Sequence, residues 1–181
     1  LPISFITYFV SFLNLELGLT LIAAGLIYAV AHAASVAGRI VWGAVADRWL
    51  SPRAVLSALG FVSGACGVAT AIAAPTWSTA ALVGLGALYG ASAVGWNGVY
   101  LAEVARSAPE GEVGLATGGT QFFTFAGALS GPPLFAALVW LTGGYRAGFV
   151  FFAALSALVG VWLLATGHSP KPAAGSGTVL P

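Results

Sequence analysis

The sequence predicts an all-α protein embedded in a membrane, and three observations predict it. Hydrophobic residues make up 59% of the 181, charged residues only 6%, and apolar stretches recur along nearly the whole chain. Those stretches are long enough to cross a hydrocarbon core of ~30 Å as helices. A soluble domain carries about 25% charged residues, so water cannot be the main solvent, and the mean hydropathy of +0.98 is too evenly spread to reflect one anchor. A β-barrel would need alternating strands of ~10 residues. The runs here are rich in Ala, Leu and Gly and satisfy their backbone only as helices.

Charged and turn-forming residues divide the chain into six apolar segments, at about 2–13, 19–46, 53–74, 78–104, 113–141 and 145–166. The first is short for a span, which fits a helix cut at its start. The chain also begins inside an apolar run and contains no Met, so a fragment is expected. Connections at 14–18, 47–52, 75–77, 105–112 and 142–144 are short enough to make consecutive helices antiparallel. Residues 1–167 therefore form one six-helix bundle, and the Pro-, Gly- and Ser-rich stretch 168–181 is expected to be a disordered tail. Arg48 and Arg53 fall in the second connection with Arg39 nearby, Arg106 in the fourth and Lys171 in the tail. Only Arg146 lies on the other side, so the excess of basic residues places both termini in the cytoplasm.

Polar residues inside the segments are not scattered. Tyr28, His32, Ser35 and Arg39 are spaced by four, three and four, which at about 100° per residue puts them within about 60° of one another. Tyr89, Ser92, Trp96, Tyr100 and Glu103 form a second stripe, with Asn97 at its margin. Thr117, Thr120, Gln121 and Thr124 mark one face of the fifth segment, and Ser4, Tyr8 and Ser11 one face of the first. Polar side chains in a span turn toward the bundle or a water-filled cavity. Four polar-sided helices therefore imply one shared cavity, although Ser, Thr and Tyr also serve as packing glue. The cavity candidates are Tyr8, Tyr28, His32, Trp96, Asn97, Tyr100 and Gln121. His32 is the ionisable group at mid-span, and the amides of Asn97 and Gln121 suit a small solute. The third and sixth segments offer small residues instead, Gly60, Gly64 and Gly67 in one and Gly148, Ala153 and Gly160 in the other, and are free to face lipid.

Composition also excludes. A net charge of +1 and six scattered basic residues make no nucleic-acid surface. Cys66 is the single cysteine, so no internal disulfide forms, and the His and Cys count is too low for a metal site. No His-Glu-x-x-His pattern, Walker loop or mid-span carboxylate pair is present, so an intramembrane enzyme is not expected, and no cofactor is implied.

The most specific stretch runs from Gly38 to Arg53. In it Gly43 is followed four residues later by Asp47, then Arg48, then Arg53. It resembles the loop motif that members of the major facilitator superfamily carry between helices two and three of each half. Leu50 stands where the motif has a second Gly, and Ser51 and Pro52 where basic residues are common, as in second-half copies. Further resemblance to bacterial members lies in Ala102 to Arg106, Gly114 to Gly119 and Gly131 to Phe135, and it covers essentially the whole chain.

The resemblance implies the carboxyl-terminal six-helix half of a transporter, two inverted three-helix repeats in a bacterial inner membrane, with an amino-terminal half, the lipid bilayer and a small solute as partners. It places the first, second, fourth and fifth helices around the cavity and the third and sixth outside, the partition read above from polarity. Transport would proceed by alternating access. Arg39, Gly43, Asp47, Arg48, Arg53, Glu103 and Arg106 form the cytoplasmic gate, in which Asp47 next to Arg48 is placed to cap its helix, pair across to Glu103 or Arg106, and meet the positive end of the fifth helix, and such surface pairs suit a gate that opens. Proton or ion coupling, if present, falls to His32 or to the other half. The solute stays open between a small organic anion and an apolar drug, and a six-helix subunit that transports nothing is the alternative.

Overall fold

The computed structural model describes residues 2–109 and 111–166, with side chains from Phe5 onward. The expected tail at 168–181, with Lys171, lies outside the described residues, as does the side chain of Ser4. Among the described residues seven helices follow one another: α1 Pro2–Leu15, α2 Leu21–Arg48, α3 Pro52–Ile72, α4 Thr79–Ala93, α5 Asn97–Ser107, α6 Val113–Thr142 and α7 Arg146–Ala165. Four stretches long and apolar enough to cross a membrane are single helices, α2, α3, α6 and α7; a fifth is α4 with α5, Thr79–Ser107, and α1 is a shorter apolar helix.

Local chemistry sets the starts. Thr20, Ser51 and Ser78 are extended residues whose hydroxyls accept the N–H of Ala23, Ala54 and Ala81, capping α2, α3 and α4. Pro52 at the first turn of α3 sacrifices an N–H that has no helical partner there. Gly143, at φ 74°, ends α6 in the left-handed region. Pro132 and Pro133 sit inside α6, and the Tyr8 hydroxyl donates to the Pro132 carbonyl at 2.9 Å, tying α1 to that proline site.

The fourth expected helix is two helices. Hydropathy runs unbroken from residue 78 to 104, but the backbone leaves the helix at Val94, Gly95 and Trp96 before α5 begins. Gly95 is the residue that permits this, because a Cβ there would fall 2.1 Å from the Ala91 carbonyl oxygen. The same carbonyl accepts the Trp42 indole N–H at 3.0 Å, so α2 holds the break from the side. Just before it, α4 crosses α2 at van der Waals limits: a Cβ at Gly90 would meet the Ala31 carbonyl at 2.1 Å, and one at Gly38 the Ala91 carbonyl at 2.7 Å.

The third and sixth expected spans, now α3 and α7, pack on each other through their small residues. Gly60, Gly64 and Gly67 lie against Gly160, Ala157 and Ala153. Ser57 donates to the Gly160 carbonyl at 2.7 Å, and the Ser63 and Ser156 hydroxyls meet at 3.1 Å. Close backbones and buried hydroxyl bonds are the usual membrane solution, since lipid offers no hydrophobic drive to bring helices together. An aromatic core of Phe5, Phe9, Phe12, Tyr89, Phe135, Phe149 and Phe152 joins α1, α4, α6 and α7. In contrast, α2 and α6 keep long apolar edges that the described residues leave exposed, among them Ile22, Leu26 and Ile40 on α2 and Leu115, Phe122, Phe123 and Leu129 on α6.

Candidate functional site

The polar positions fall into four groups, set by which neighbour each helix face meets. On α2, Ser35 is buried and its hydroxyl turns back to the His32 carbonyl at 2.7 Å, a local bond that frees the side chain from any outward role. His32 and Arg39 point away from the chain's other helices and are exposed. Tyr28 is half-buried and meets the His32 ring edge-on at 4.5 Å between centroids. The expected four-residue stripe thus keeps three members on one uncovered flank.

The stripe on the fourth span turns elsewhere. Tyr89 is fully buried against Phe5, their rings 4.3 Å apart, and Ser92 bonds to the Leu88 carbonyl at 2.8 Å. Trp96 and Tyr100, in edge contact at 5.2 Å, line a cleft shared with α3 and α7 and not the flank of His32. Tyr8, from α1, stacks on Phe135 at 4.4 Å, with its hydroxyl committed to Pro132.

Asn97 and Gln121 form the third group. Asn97 opens α5 and Gln121 lies on α6, the helix packed beside it. Asn97 stands ten residues from Ser107 and Gln121 eight from Val113, so at ~1.5 Å per residue they sit at ~15 and ~12 Å from the same end of the bundle. Both amide oxygens, Asn97 Oδ1 and Gln121 Oε1, are buried without a hydrogen-bond partner. An unmet buried acceptor costs ~1–3 kcal/mol, and two at matched depth are a place where a donor from elsewhere is wanted. The Thr120 and Thr124 hydroxyls beside Gln121 are spent on the carbonyls of Thr117 and Thr120.

The charged end holds the last group. Arg106 reaches Asp47 at 3.6 Å and Arg53 reaches Glu103 at 3.7 Å, so the second and fourth connections are linked by two ion pairs. Arg48 lies exposed in the last turn of α2, and Gly43 faces open space, with nothing within 4 Å of an added Cβ. The gate residues are thereby brought to one end, except Arg39, which stands nine residues before Arg48 on the uncovered flank of α2.

Sequence reasoning missed the opposite end. Arg146 Nε donates to Glu16 Oε2 at 3.0 Å, while its Nη1 and Nη2 donate to the Ala71 and Ala73 carbonyls at 2.7 and 2.9 Å. The Tyr145 N–H bonds to the other Glu16 oxygen. One guanidinium thus joins the end of α1, the end of α3 and the start of α7. The signal available was modest, an Arg in the first turn of a helix, where its charge opposes the helix dipole and so calls for another partner.

The sequence pattern that defines the Major Facilitator Superfamily matches residues 1–179. No curated protein and no solved structure matches the chain at a significant level. A match over nearly the full length joins a helical membrane fold with ion-paired loops, and the chain belongs to the Major Facilitator Superfamily of membrane transporters.

Proposed function

We propose that this chain is the carboxyl-terminal half of a secondary transporter, in which α1 serves as a sixth span and α4 with α5 as a single interrupted one. Its two groups of three spans are inverted repeats, and the half rocks against an amino-terminal counterpart to expose a midplane site to either side in turn. The observation that carries this reading is the uncovered flank of α2 and α6. Beside its apolar edges lie helical glycines, Gly43, Gly118, Gly119 and Gly127, whose absent side chains leave open space within this chain. Glycine costs a helix about 0.8–1.0 kcal/mol relative to alanine, a cost with no internal return here but one that lets a second body approach closely. The charged end faces the cytoplasm of a bacterial cell, following the basic residues.

The solute site is assigned to the unmet oxygens of Asn97 and Gln121, with Tyr28 and His32 on the flank opposite; Arg39 closes the cavity toward the charged end. Two amide acceptors call for a solute bearing N–H or O–H groups, which favours a hydrogen-bonding metabolite over a purely apolar compound. Any proton coupling within this half rests on His32. The test is uptake by the reconstituted full-length transporter carrying Asn97→Leu or Gln121→Leu. Leucine removes the orphaned acceptor at similar volume, so thermal stability holds or rises while uptake falls at least tenfold, the equivalent of about 1.4 kcal/mol. Unchanged uptake removes the site assignment, and a parallel loss of stability makes the two amides structural.

A further inference from the structure

The paired prolines of α6 leave one main-chain carbonyl without a helical donor. In an α-helix the Leu129 carbonyl accepts from the N–H four residues on, and a tightened turn uses the one three residues on. Those positions are Pro133 and Pro132, both inside the helix and neither with an N–H. The Ala128 carbonyl keeps the Gly131 N–H as its tightened-turn alternative, whereas the first N–H beyond the prolines, on Leu134, belongs to the Ser130 carbonyl in the helical ladder. Neighbouring side chains do not fill the place. The Ser130 hydroxyl turns back to the Ala126 carbonyl at 2.9 Å, and the Tyr8 hydroxyl is taken by the Pro132 carbonyl. Among the described residues of α1, α5 and α7, the helices packed on α6, no side chain donates to Leu129.

Depth makes this costly. Leu129 stands sixteen residues from Val113 and thirteen from Thr142, or ~24 and ~20 Å from the two ends, well inside a ~30 Å hydrocarbon core. Leu115, Phe122 and Phe125 lie within ~40° of it around the helix, and all four side chains are exposed. By its side chains this is a face for lipid. By its backbone it is not, because hydrocarbon has no donor and irregular main chain at this depth is tolerated only where protein or water satisfies it. A bound water needs two to four polar partners, and the side chains around this carbonyl are leucine and phenylalanine. The missing donor therefore belongs to a protein helix.

The form of such a contact recurs within this chain. Trp42 Nε1 donates to the Ala91 carbonyl at 3.0 Å, the Ser57 hydroxyl to the Gly160 carbonyl at 2.7 Å and the Tyr8 hydroxyl to the Pro132 carbonyl at 2.9 Å. In each, a side chain on one helix reaches the main chain of another. At Leu129 only the acceptor is present. We infer that the face of α6 bearing Leu115, Phe122, Phe125 and Leu129 packs against a helix of the amino-terminal half, and that this helix carries at mid-depth an O–H or N–H side chain bonded to the Leu129 carbonyl. The face belongs to the uncovered flank of α2 and α6, so the inference rests on the transporter reading and adds to it the chemistry of the partner. Rocking about a midplane site displaces the ends of the halves most and their middle least, so this bond holds in both states and acts as a pivot.

The experiment uses the full-length protein in nanodiscs of phosphatidylethanolamine and phosphatidylglycerol, with the photo-reactive residue benzoylphenylalanine replacing Phe122. The expected product is a cross-link within one chain to the middle of a single helix upstream of Leu1. Adducts to phospholipid alone, or to a second copy, overturn the inference. A carbon-13 carbonyl label on Leu129 then isolates its infrared band. The band is expected at the position of a hydrogen-bonded carbonyl and shifts to higher wavenumber when the donor found at the cross-link is replaced by an apolar residue of similar size. Adding Pro133→Ala, which returns an N–H to the ladder of α6, brings it back. A wild-type band at the free-carbonyl position, or one that ignores loss of the donor, overturns the inference. The uptake test of Asn97 and Gln121 keeps the two readings apart: a lipid adduct in a protein whose uptake still depends on those amides overturns the contact alone.

Discussion

The two ends of the bundle are both closed by arginine and carboxylate, yet they are built differently. At the Glu16 end a single residue, Arg146, makes a 3.0 Å contact to a carboxylate that is 19% exposed and two short bonds to the carbonyls that finish α3. Those carbonyls have no helical donors, so the guanidinium does the work of a helix cap while neutralising a charge. At the other end the pairs are 3.6 and 3.7 Å long, and Asp47 and Arg106 are 66% and 50% exposed. The first arrangement loses several bonds at once when disturbed; the second can exchange its partners for water at little cost. On the proposed reading, the weak pairs are the ones that could part when the charged end opens, while the Arg146 contacts would hold α1, α3 and α7 of this half together.

The contrast can be broken most directly at Arg146. Arg146→Ala strands the Glu16 carboxylate and two carbonyls, and a loss of about 1.5–3 kcal/mol is expected from the charged hydrogen bonds alone. It is read as a lowered thermal midpoint of the purified transporter, and a midpoint unchanged from wild type removes the clasp. Gly144→Ala is a milder probe of the same end. Its Cβ would lie 3.1 Å from Glu16 Oε1, so a partial shift of that carboxylate and a smaller drop in midpoint are expected. At the charged end, Asp47→Asn and Arg106→Gln should each change stability by no more than about 0–1 kcal/mol, as exposed pairs do. A double-mutant cycle repeated in high salt should shrink their coupling toward zero, and a salt-independent coupling would show the pair to be desolvated. Smallest of all is Gly43→Ala. With open space around it, the substitution leaves the stability of this half level or slightly raised, and any fall in uptake then reports on the opposing half.

The sequence made the local features legible because they are set within a few residues. The long apolar runs and the charge at the second and fourth connections follow from neighbours in sequence. What stayed hidden depended on distant partners. Arg146 meets Glu16 across 130 positions, and nothing in either local run says so. For Tyr89, Ser92, Trp96 and Tyr100, periodicity gives an angle about the helix's own axis and not the identity of the helix each side chain faces, and the helix itself is broken between Ser92 and Trp96. The break at Gly95 was masked by continuous hydropathy, since a single glycine in an apolar span lowers helix propensity without ending the helix unless tertiary contacts such as the Trp42 bond favour the alternative.

That break has a mechanical consequence. A continuous helix resists bending through its ladder of hydrogen bonds, and a bend concentrates where the ladder is interrupted. The fourth span is therefore a stiff rod of fifteen residues joined to a short lever of eleven. The rod is anchored in aromatic packing and pressed onto α2, while the lever carries Glu103 and Arg106 at its tip. Torque applied at the charged tip is absorbed at the joint beside Asn97 before it reaches the phenylalanine core.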